Sequence, residues 1–183
     1  MLAWKRNPEF FTGFLRQQAL TDPTLWPDDI ILGHRDAPMR FIVACNPYCT
    51  PCAHTHSQLE ELLHRYPDKV CIVVRWAVIT LDPADQRTQA IDHILNACFS
   101  GDGMELREQL LNDWFDSMEL KKWDRKYSHF QKPEGQKIKQ LIQRHADWYV
   151  QSEIRHTPTV FLNGYEFPKQ YAVSDLKILI PAL

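Results

Sequence analysis

The chain has 183 residues, of which 44% are hydrophobic and 24% charged, and its formal net charge is -2. That length suits one domain with a proper buried core rather than two independent ones, and the composition excludes disordered and fibrous classes. Lysines and arginines are dispersed instead of gathered into a basic field, so nucleic acid is not an expected partner, and no apolar run approaches the roughly eighteen residues of a membrane-spanning helix.

Met1-Leu2-Ala3-Trp4-Lys5-Arg6 lacks the apolar centre of a secretory signal, yet its Trp and basic residues also suit the tail of a removed membrane helix. Residues 1–29 read as an N-terminal extension and 30–183 as the domain proper. Within the extension, Glu9 to Gln18 carries Phe10, Phe11, Phe14 and Leu15 at helical spacing, with Pro8 suited to the first turn. Ile30–Leu32 and Met39–Ala44 are apolar runs separated by Gly33-His34-Arg35-Asp36-Ala37-Pro38, whose Gly, Asp and Pro are turn formers, and they predict two strands.

Leu59, Leu62, Leu63 and Tyr66 then recur at i, i+3, i+4 and i+7, one apolar face of a helix that Pro67 ends. The run Val70–Ile79 is β-branched and apolar nearly throughout, which predicts a central strand covered on both faces and parallel to its neighbour through a βαβ connection. From about 84 to 152 strand signals vanish. Helical faces follow one another instead: Ile91, Ile94, Leu95 and Cys98; Leu110, Leu111, Trp114 and Met118; Ile138, Leu141, Ile142 and Tyr149. The breaks fall at Gly101-Asp102-Gly103 and Pro133-Glu134-Gly135. Phe10, Phe11, Trp114 and Trp148 read as core or insertion packing, the alternative being an exposed patch near the site that binds unfolded substrate. Thr159–Leu162 and Tyr165–Phe167 flank Asn163-Gly164, a hairpin signal because both central residues of a type I′ turn need positive φ. Ser174 to Leu179 predicts a closing helix capped by Ser174.

Five cysteines exceed what a core usually recruits and fall short of a disulfide scaffold, so some are expected to be chemical. Cys49-Thr50-Pro51-Cys52 places two thiols at i and i+3 where a helix opens. The helix start offers positive potential and unpaired N–H groups to the first sulfur, which favours its thiolate, the nucleophile of disulfide exchange. Cys49 is the expected attacking thiol and Cys52, one turn further in, the resolving thiol. Thr50 and Pro51 shape the turn and tune the couple, since about 30 mV of potential changes the equilibrium tenfold. Cys71 and Cys98 lie in apolar patterns and read as inert core thiols, whereas Cys45 reads as a buried neighbour or a secondary redox partner. His54 and His56 read as facing solvent; a histidine near Cys49 would lower its pKa further.

Three segments together resemble the DsbA-like branch of thioredoxin-fold oxidoreductases: Gly33 to Ile42, the cysteine pair with its trailing helix, and Thr157-Pro158-Thr159-Val160-Phe161-Leu162-Asn163-Gly164. The resemblance implies an α/β thioredoxin-like fold, a central mixed sheet with flanking helices and a helical insertion after the third strand. It further implies a cis Thr157-Pro158 bond forming a substrate-facing wall beside the sulfurs. Similar domains occur attached to bacterial vitamin K epoxide reductase-like membrane proteins, which makes such a domain a candidate redox partner. Tyr48 stands where thioredoxin has Trp, and the Thr-Pro dipeptide differs from those of thioredoxin and the commonest DsbA proteins.

Three rival readings use the same residues. Cys45, Cys49 and Cys52 match the spacing of radical-SAM cluster ligands, although the chain lacks that family's alternating strand-helix units. The same cysteines with His54 or His56 supply four zinc donors, although structural zinc sites usually draw their pairs from separated loops. A redox-inactive thioredoxin-fold binding module would keep the pair and never exchange it. The expected function is thiol–disulfide exchange with cysteine-containing polypeptides, needing neither cofactor nor metal because the cysteines carry the two electrons. As an excerpt of a membrane protein the chain belongs on the extracytoplasmic, periplasmic side; the alternative is the cytoplasm.

Overall fold

The computed structural model describes residues 3–101, 103–130 and 135–183. Met1-Leu2 of the leading segment, and Asp102 and Pro133-Glu134 of the two expected breaks, lie outside them.

The sheet is built as the two apolar runs and the hairpin require. Strand β1 (Ile30–Gly33) pairs antiparallel with β3 (Val70–Trp76), β3 pairs parallel with β2 (Met39–Cys45), β2 pairs antiparallel with β4 (Thr159–Leu162), and β4 with β5 (Tyr165–Glu166). The spatial order is β1-β3-β2-β4-β5. Helix α2 (Thr50–Arg65) makes the crossover between the parallel pair, and its Leu59, Leu62 and Leu63 are buried at the predicted spacing.

All seven residues of β3 are buried. Its alternation sends Val70, Ile72, Val74 and Trp76 into the larger core, with Leu59, Leu62 and Leu63, while Cys71 and Val73 join Trp148, Ile154 and Phe161 on the opposite face. The strand ends at Trp76 rather than at Ile79. Its partner β2 ends opposite it at Cys45, and after Asn46 the chain meets Pro47, which has no N–H to offer a ladder. Ala77 still donates to the Cys45 carbonyl at 2.7 Å, and by Ile79 the side chain is 59% exposed.

Gly33 ends β1 with φ +86, and a Cβ there would meet Leu63 Cδ1 at 2.6 Å and the Val70 carbonyl at 2.7 Å, so only glycine fits this close approach of strand to helix. The Asn163-Gly164 turn has positive φ at both residues, 50° and 92°, as its sequence predicts.

The region after β3 is helical throughout: α3 (Gln86–Ser100), α4 (Met104–Ser117), α5 (Leu120–Tyr127) and α6 (Gly135–Gln151). Asp85 caps α3 by accepting the N–H groups of Arg87 and Thr88. Met118, expected on the apolar face of α4, instead caps its C-terminus in the left-handed region at φ 48°. Helix α5 is not among the three helical faces that the periodicity predicts; its eight residues bury only Trp123 and Tyr127.

Helix α1 (Pro8–Arg16) is capped by the Asn7 side chain, which accepts from Glu9 N–H at 2.8 Å. Phe11 is buried edge-on against Tyr171 at 5.1 Å. Phe10 is 53% exposed, contrary to the packing role expected of it, because α1 turns only one face to the domain and Phe10 lies off it. Beyond α1, the segment around Leu20 bridges to Tyr165 and covers the outer edge of the two-residue β5. The closing segment is a 3₁₀ turn (Val173–Asp175) followed by α7 (Leu176–Leu179). Asp175, not Ser174, closes this turn: its carboxylate accepts the Ala172 N–H and the Lys5 ammonium, each at 3.0 Å.

Candidate active site

At the end of β2, Cys45-Asn46-Pro47-Tyr48 lifts the chain over the edge of the sheet into α2. The Asn46 side chain accepts the Tyr48 N–H at 2.9 Å. Trp114 Nε1 on α4 donates to the Pro47 carbonyl at 2.7 Å, and the Tyr48 ring meets the Trp114 ring edge-on at 5.5 Å. The insertion therefore holds the loop that delivers the cysteines. Sequence periodicity assigned Trp114 to packing and could not reveal this second task, because the carbonyl it serves lies 67 residues away.

Cys49 is the N-cap residue of α2, in extended conformation at φ -107° and ψ 107°. Its Sγ accepts the Cys52 N–H at 3.3 Å, so the sulfur replaces one of the bonds a helix start leaves unmade. Pro51 fits the first turn, where its missing N–H costs nothing. Thr50 and Pro51 are exposed beside the sulfur. Of the five cysteines only Cys49 is partly exposed; Cys45, Cys52, Cys71 and Cys98 are buried. The Thr157–Pro158 bond is cis, and the Thr157 carbonyl accepts from Cys49 Sγ at 3.5 Å. Residues expected at the site are thus brought together, although four of them, Cys49 to Cys52, open α2 and Thr157 and Pro158 come more than 100 positions later.

The electrostatics depart from expectation. Cys52, not Cys49, is the acidic thiol, drawn down to about 6. The main cause is the hydrogen bond from Cys45; burial opposes it, and Cys49, the Asn46 backbone and Thr157 add further donors. Cys49 is raised, chiefly by burial and then by its hydrogen bond toward Cys52, against the opposing pull of Thr157 and the Cys52 N–H. Cys45 is held well above the usual thiol value because its proton is engaged with Cys52 and its sulfur is buried. Of the three neighbouring thiols, negative charge is thus favoured on the inner sulfur, Cys52. Cys71 and Cys98 are pushed up to about 11 and about 12 by burial, as inert core thiols should be.

His54 is exposed and bonded to Gln58 at 2.9 Å. His56, expected to face solvent, is buried: it stacks on Phe115 at 4.9 Å and bonds to Asn112 at 2.9 Å, because α4 packs over this face of α2. Neither histidine is turned toward the sulfurs, and among the described residues no cluster of three or more His, Cys, Asp or Glu is arranged to hold a metal ion. An open depression of about 650 Å³ beside the site is lined by Asn46, Tyr48, Asp85 and Arg87. The larger cavity of about 700 Å³ between α3 and α6, lined by Thr88, Asp92 and Ile142, includes none of the site residues.

A family model described as thioredoxin matches residues 26–182. The chain belongs to the thioredoxin family, with the mixed five-stranded sheet and the post-β3 helical insertion of its DsbA-like members. Its structure is similar to that of BdbD from Bacillus subtilis in the oxidised form, at TM-score 0.68 and 12% identity over 90% of this chain and 95% of that one. It is also similar to a periplasmic thioredoxin-like protein from Salmonella enterica serovar Typhimurium, at TM-score 0.67 and 13% identity over 93% and 94% of the two chains. Alpha-DsbA1 of Wolbachia pipientis matches at TM-score 0.60 and 17% identity over 82% and 81%. No curated protein sequence matches the chain.

Proposed function

We propose that the protein is a thiol–disulfide oxidoreductase acting on cysteine-containing polypeptides through Cys49 and Cys52. The observation that carries this reading is the graded burial of the pair: a reachable sulfur caps a helix, with an ionisable sulfur buried one turn behind it and the Thr157 carbonyl 3.5 Å from the first.

The shared charge gives the chemistry its order. Cys49 passes its proton to Cys52 as it attacks a substrate disulfide, so the inner thiolate serves as the base for the outer thiol. One substrate sulfur bonds to Cys49, and the other departs with the electron pair of the broken bond and takes the proton that Cys52 had received, which leaves Cys52 a thiolate again. The Cys52 thiolate then attacks Cys49 Sγ, the Cys49–Cys52 bond forms, and the second substrate sulfur leaves. Two electrons pass from the protein to the substrate; run backwards, the same steps oxidise a substrate dithiol. Thr157 and Pro158 form the wall along which the substrate backbone lies, and exposed Thr50 and Pro51 tune the couple. The periplasmic source of one similar structure supports an extracytoplasmic setting, and among the described residues no helix is long and apolar enough to cross a membrane.

Cys49→Ser should abolish the reduction of a disulfide-bonded test protein by the chain, a loss of roughly a thousandfold or more as expected when a nucleophile is removed. Cys52→Ser should retain the first attack and accumulate mixed disulfides visible by mass spectrometry. Exchange at the wild-type rate in the Cys49 variant would refute the assignment. The reduction potential against glutathione then decides between a disulfide donor and a reductant.

A further inference from the structure

The two strands that flank β2 each bring a segment of chain to Cys49. On the β4 side the chain arrives through Thr157-Pro158, with the Thr157 carbonyl 3.5 Å from the Cys49 sulfur. On the β3 side the chain that leaves Trp76 runs on to Ala84, Asp85, Gln86 and Arg87, which with Asn46 and Tyr48 line the open depression of about 650 Å³. The exchange steps above use the first wall and give the second no task. Tyr48 directly precedes Cys49, and an extended chain advances about 3.3–3.6 Å per residue. A polypeptide that lies along Thr157 and crosses Cys49 therefore carries its next one or two side chains over this depression.

Asp85 and Arg87 decide the polar character of the depression. Asp85 Oδ1 accepts the Arg87 and Thr88 N–H groups at 2.9 and 3.2 Å, and the two carboxylate oxygens take Arg87 Nε and Nη2 at 3.1 and 2.9 Å. The carboxylate is thus filled with donors. A guanidinium has five N–H donors, of which these bonds occupy two. Among the described residues Nη1 of Arg87 makes no hydrogen bond, and the side chain is 38% exposed. Asp85 therefore fixes the plane of the guanidinium without using it up. The nearby Asn46 carboxamide oxygen is likewise taken, by the Tyr48 N–H at 2.9 Å. What this side of the site has to spare is donors, and what it suits is an acceptor.

We propose that Arg87 is a specificity residue for the substrate: its free guanidinium edge, held by Asp85 beside Tyr48, binds an aspartate or glutamate side chain lying within two residues of the substrate cysteine that joins Cys49. This rests on the oxidoreductase reading and narrows its substrate class to polypeptides with an acidic residue beside the reacting cysteine. A carboxylate accepts two parallel N–H bonds from the fork. A lysine in the same place brings a cation to a cation, and an alanine leaves the fork to water. Because the depression is open to solvent, the gain is that of a partly exposed ion pair.

Disulfide-linked dimers of a short alanine–serine peptide with one central cysteine test this, with Glu or Lys placed in turn one or two positions to either side of the cysteine. The rate constant for oxidation of the reduced protein by each dimer is read at low salt. A glutamate also changes the peptide's own thiol, so the quantity compared between proteins is the ratio of the Glu-peptide rate to the Ala-peptide rate. At one or more positions that ratio should be roughly two- to fivefold higher for wild type than for Arg87→Ala, and the difference should fade near 1 M salt, where the screening length is about 3 Å. Arg87→Lys should recover part of the ratio, because it returns the charge without the fork. A merely structural role for Arg87 would slow every peptide alike and leave the ratio where it was. Equal ratios for wild type and Arg87→Ala at every position would overturn the proposal. If wild-type protein is oxidised by none of the peptides, it is the oxidoreductase reading that falls; if it is oxidised by all of them with ratios insensitive to residue 87, only the role of Arg87 does.

Discussion

A thiol drawn down to about 6 inside a core makes stability depend on pH in a direction that can be worked out. The unfolded chain holds the Cys52 proton until about its ordinary value of 9.0, so between about 6 and 9 the folded reduced protein binds fewer protons than the unfolded one. Its stability therefore rises with pH across that window, by about 1.4 kcal/mol per pH unit at most, and the gain is lost as pH falls through 6. Cys49 and Cys45 are raised, so their contribution is present below about 9 and lost only above it, outside this window. His56 and His145 are both held neutral by burial and also favour the fold as pH rises, His145 having been lowered to about 3. They are common to both redox forms and cancel when the two are compared. Urea unfolding of reduced and oxidised protein at pH 6, 7 and 8 should thus show the reduced form gaining on the oxidised one at each step. A constant difference would mean that the charge does not reside on Cys52.

Among the elements, α4 does more than cover the sheet. Its Trp114 is fully buried, meets Trp123 edge-on at 6.0 Å on one side and Tyr48 on the other, and satisfies the Pro47 carbonyl. Trp114→Phe keeps most of the ring and deletes the donor, leaving a buried carbonyl unpaired. The expected cost is about 1–3 kcal/mol in chemical denaturation, with slower exchange at Cys49 because the loop before it loses its anchor. Equal exchange rates in a destabilised variant would assign Trp114 to packing alone. The short α5 behaves similarly at its margin, since Trp123 Nε1 donates to the Leu110 carbonyl at 3.0 Å and so ties α5 to α4.

Across the whole molecule, the N-terminal segment is held by a buried ion pair. Arg75 comes off β3 on the face covered by α6, and its guanidinium makes two bonds of 2.9 Å to the Asp29 carboxylate and one to the Thr24 carbonyl. The Trp26 ring lies over it, 3.7 Å from Cζ to centroid. Both charged side chains are essentially without solvent contact. Removing one partner strands the other, so Asp29→Ala should cost about 3–5 kcal/mol and release the segment from residue 20 to 29 to proteolysis. A double replacement of Asp29 and Arg75 by apolar residues should cost much less than the single one; equal losses would show that the pair does not act as a unit.

What the sequence determined by itself is whatever depends on near neighbours. The 3.6-residue spacing of Leu59, Leu62 and Leu63, the β-branched run from Val70, the Asn163-Gly164 turn and the Cys49–Cys52 interval each encode a local geometry, and each stands in the fold. The tertiary structure alone decided what depends on groups distant in the chain. Val70–Ile79 lost its last three residues because β2 had no more backbone to pair with. His56 went inside because α4 lies on it, and Phe10 stayed outside because α1 offers the domain one face. The site divides the same way. The spacing announced two sulfurs at a helix start, where the dipole favours charge on the first. It is instead the second that is drawn down, because the groups that lower it, at the end of β2 and at Thr157, are distant in the chain and come near Cys52 only once the sheet has formed.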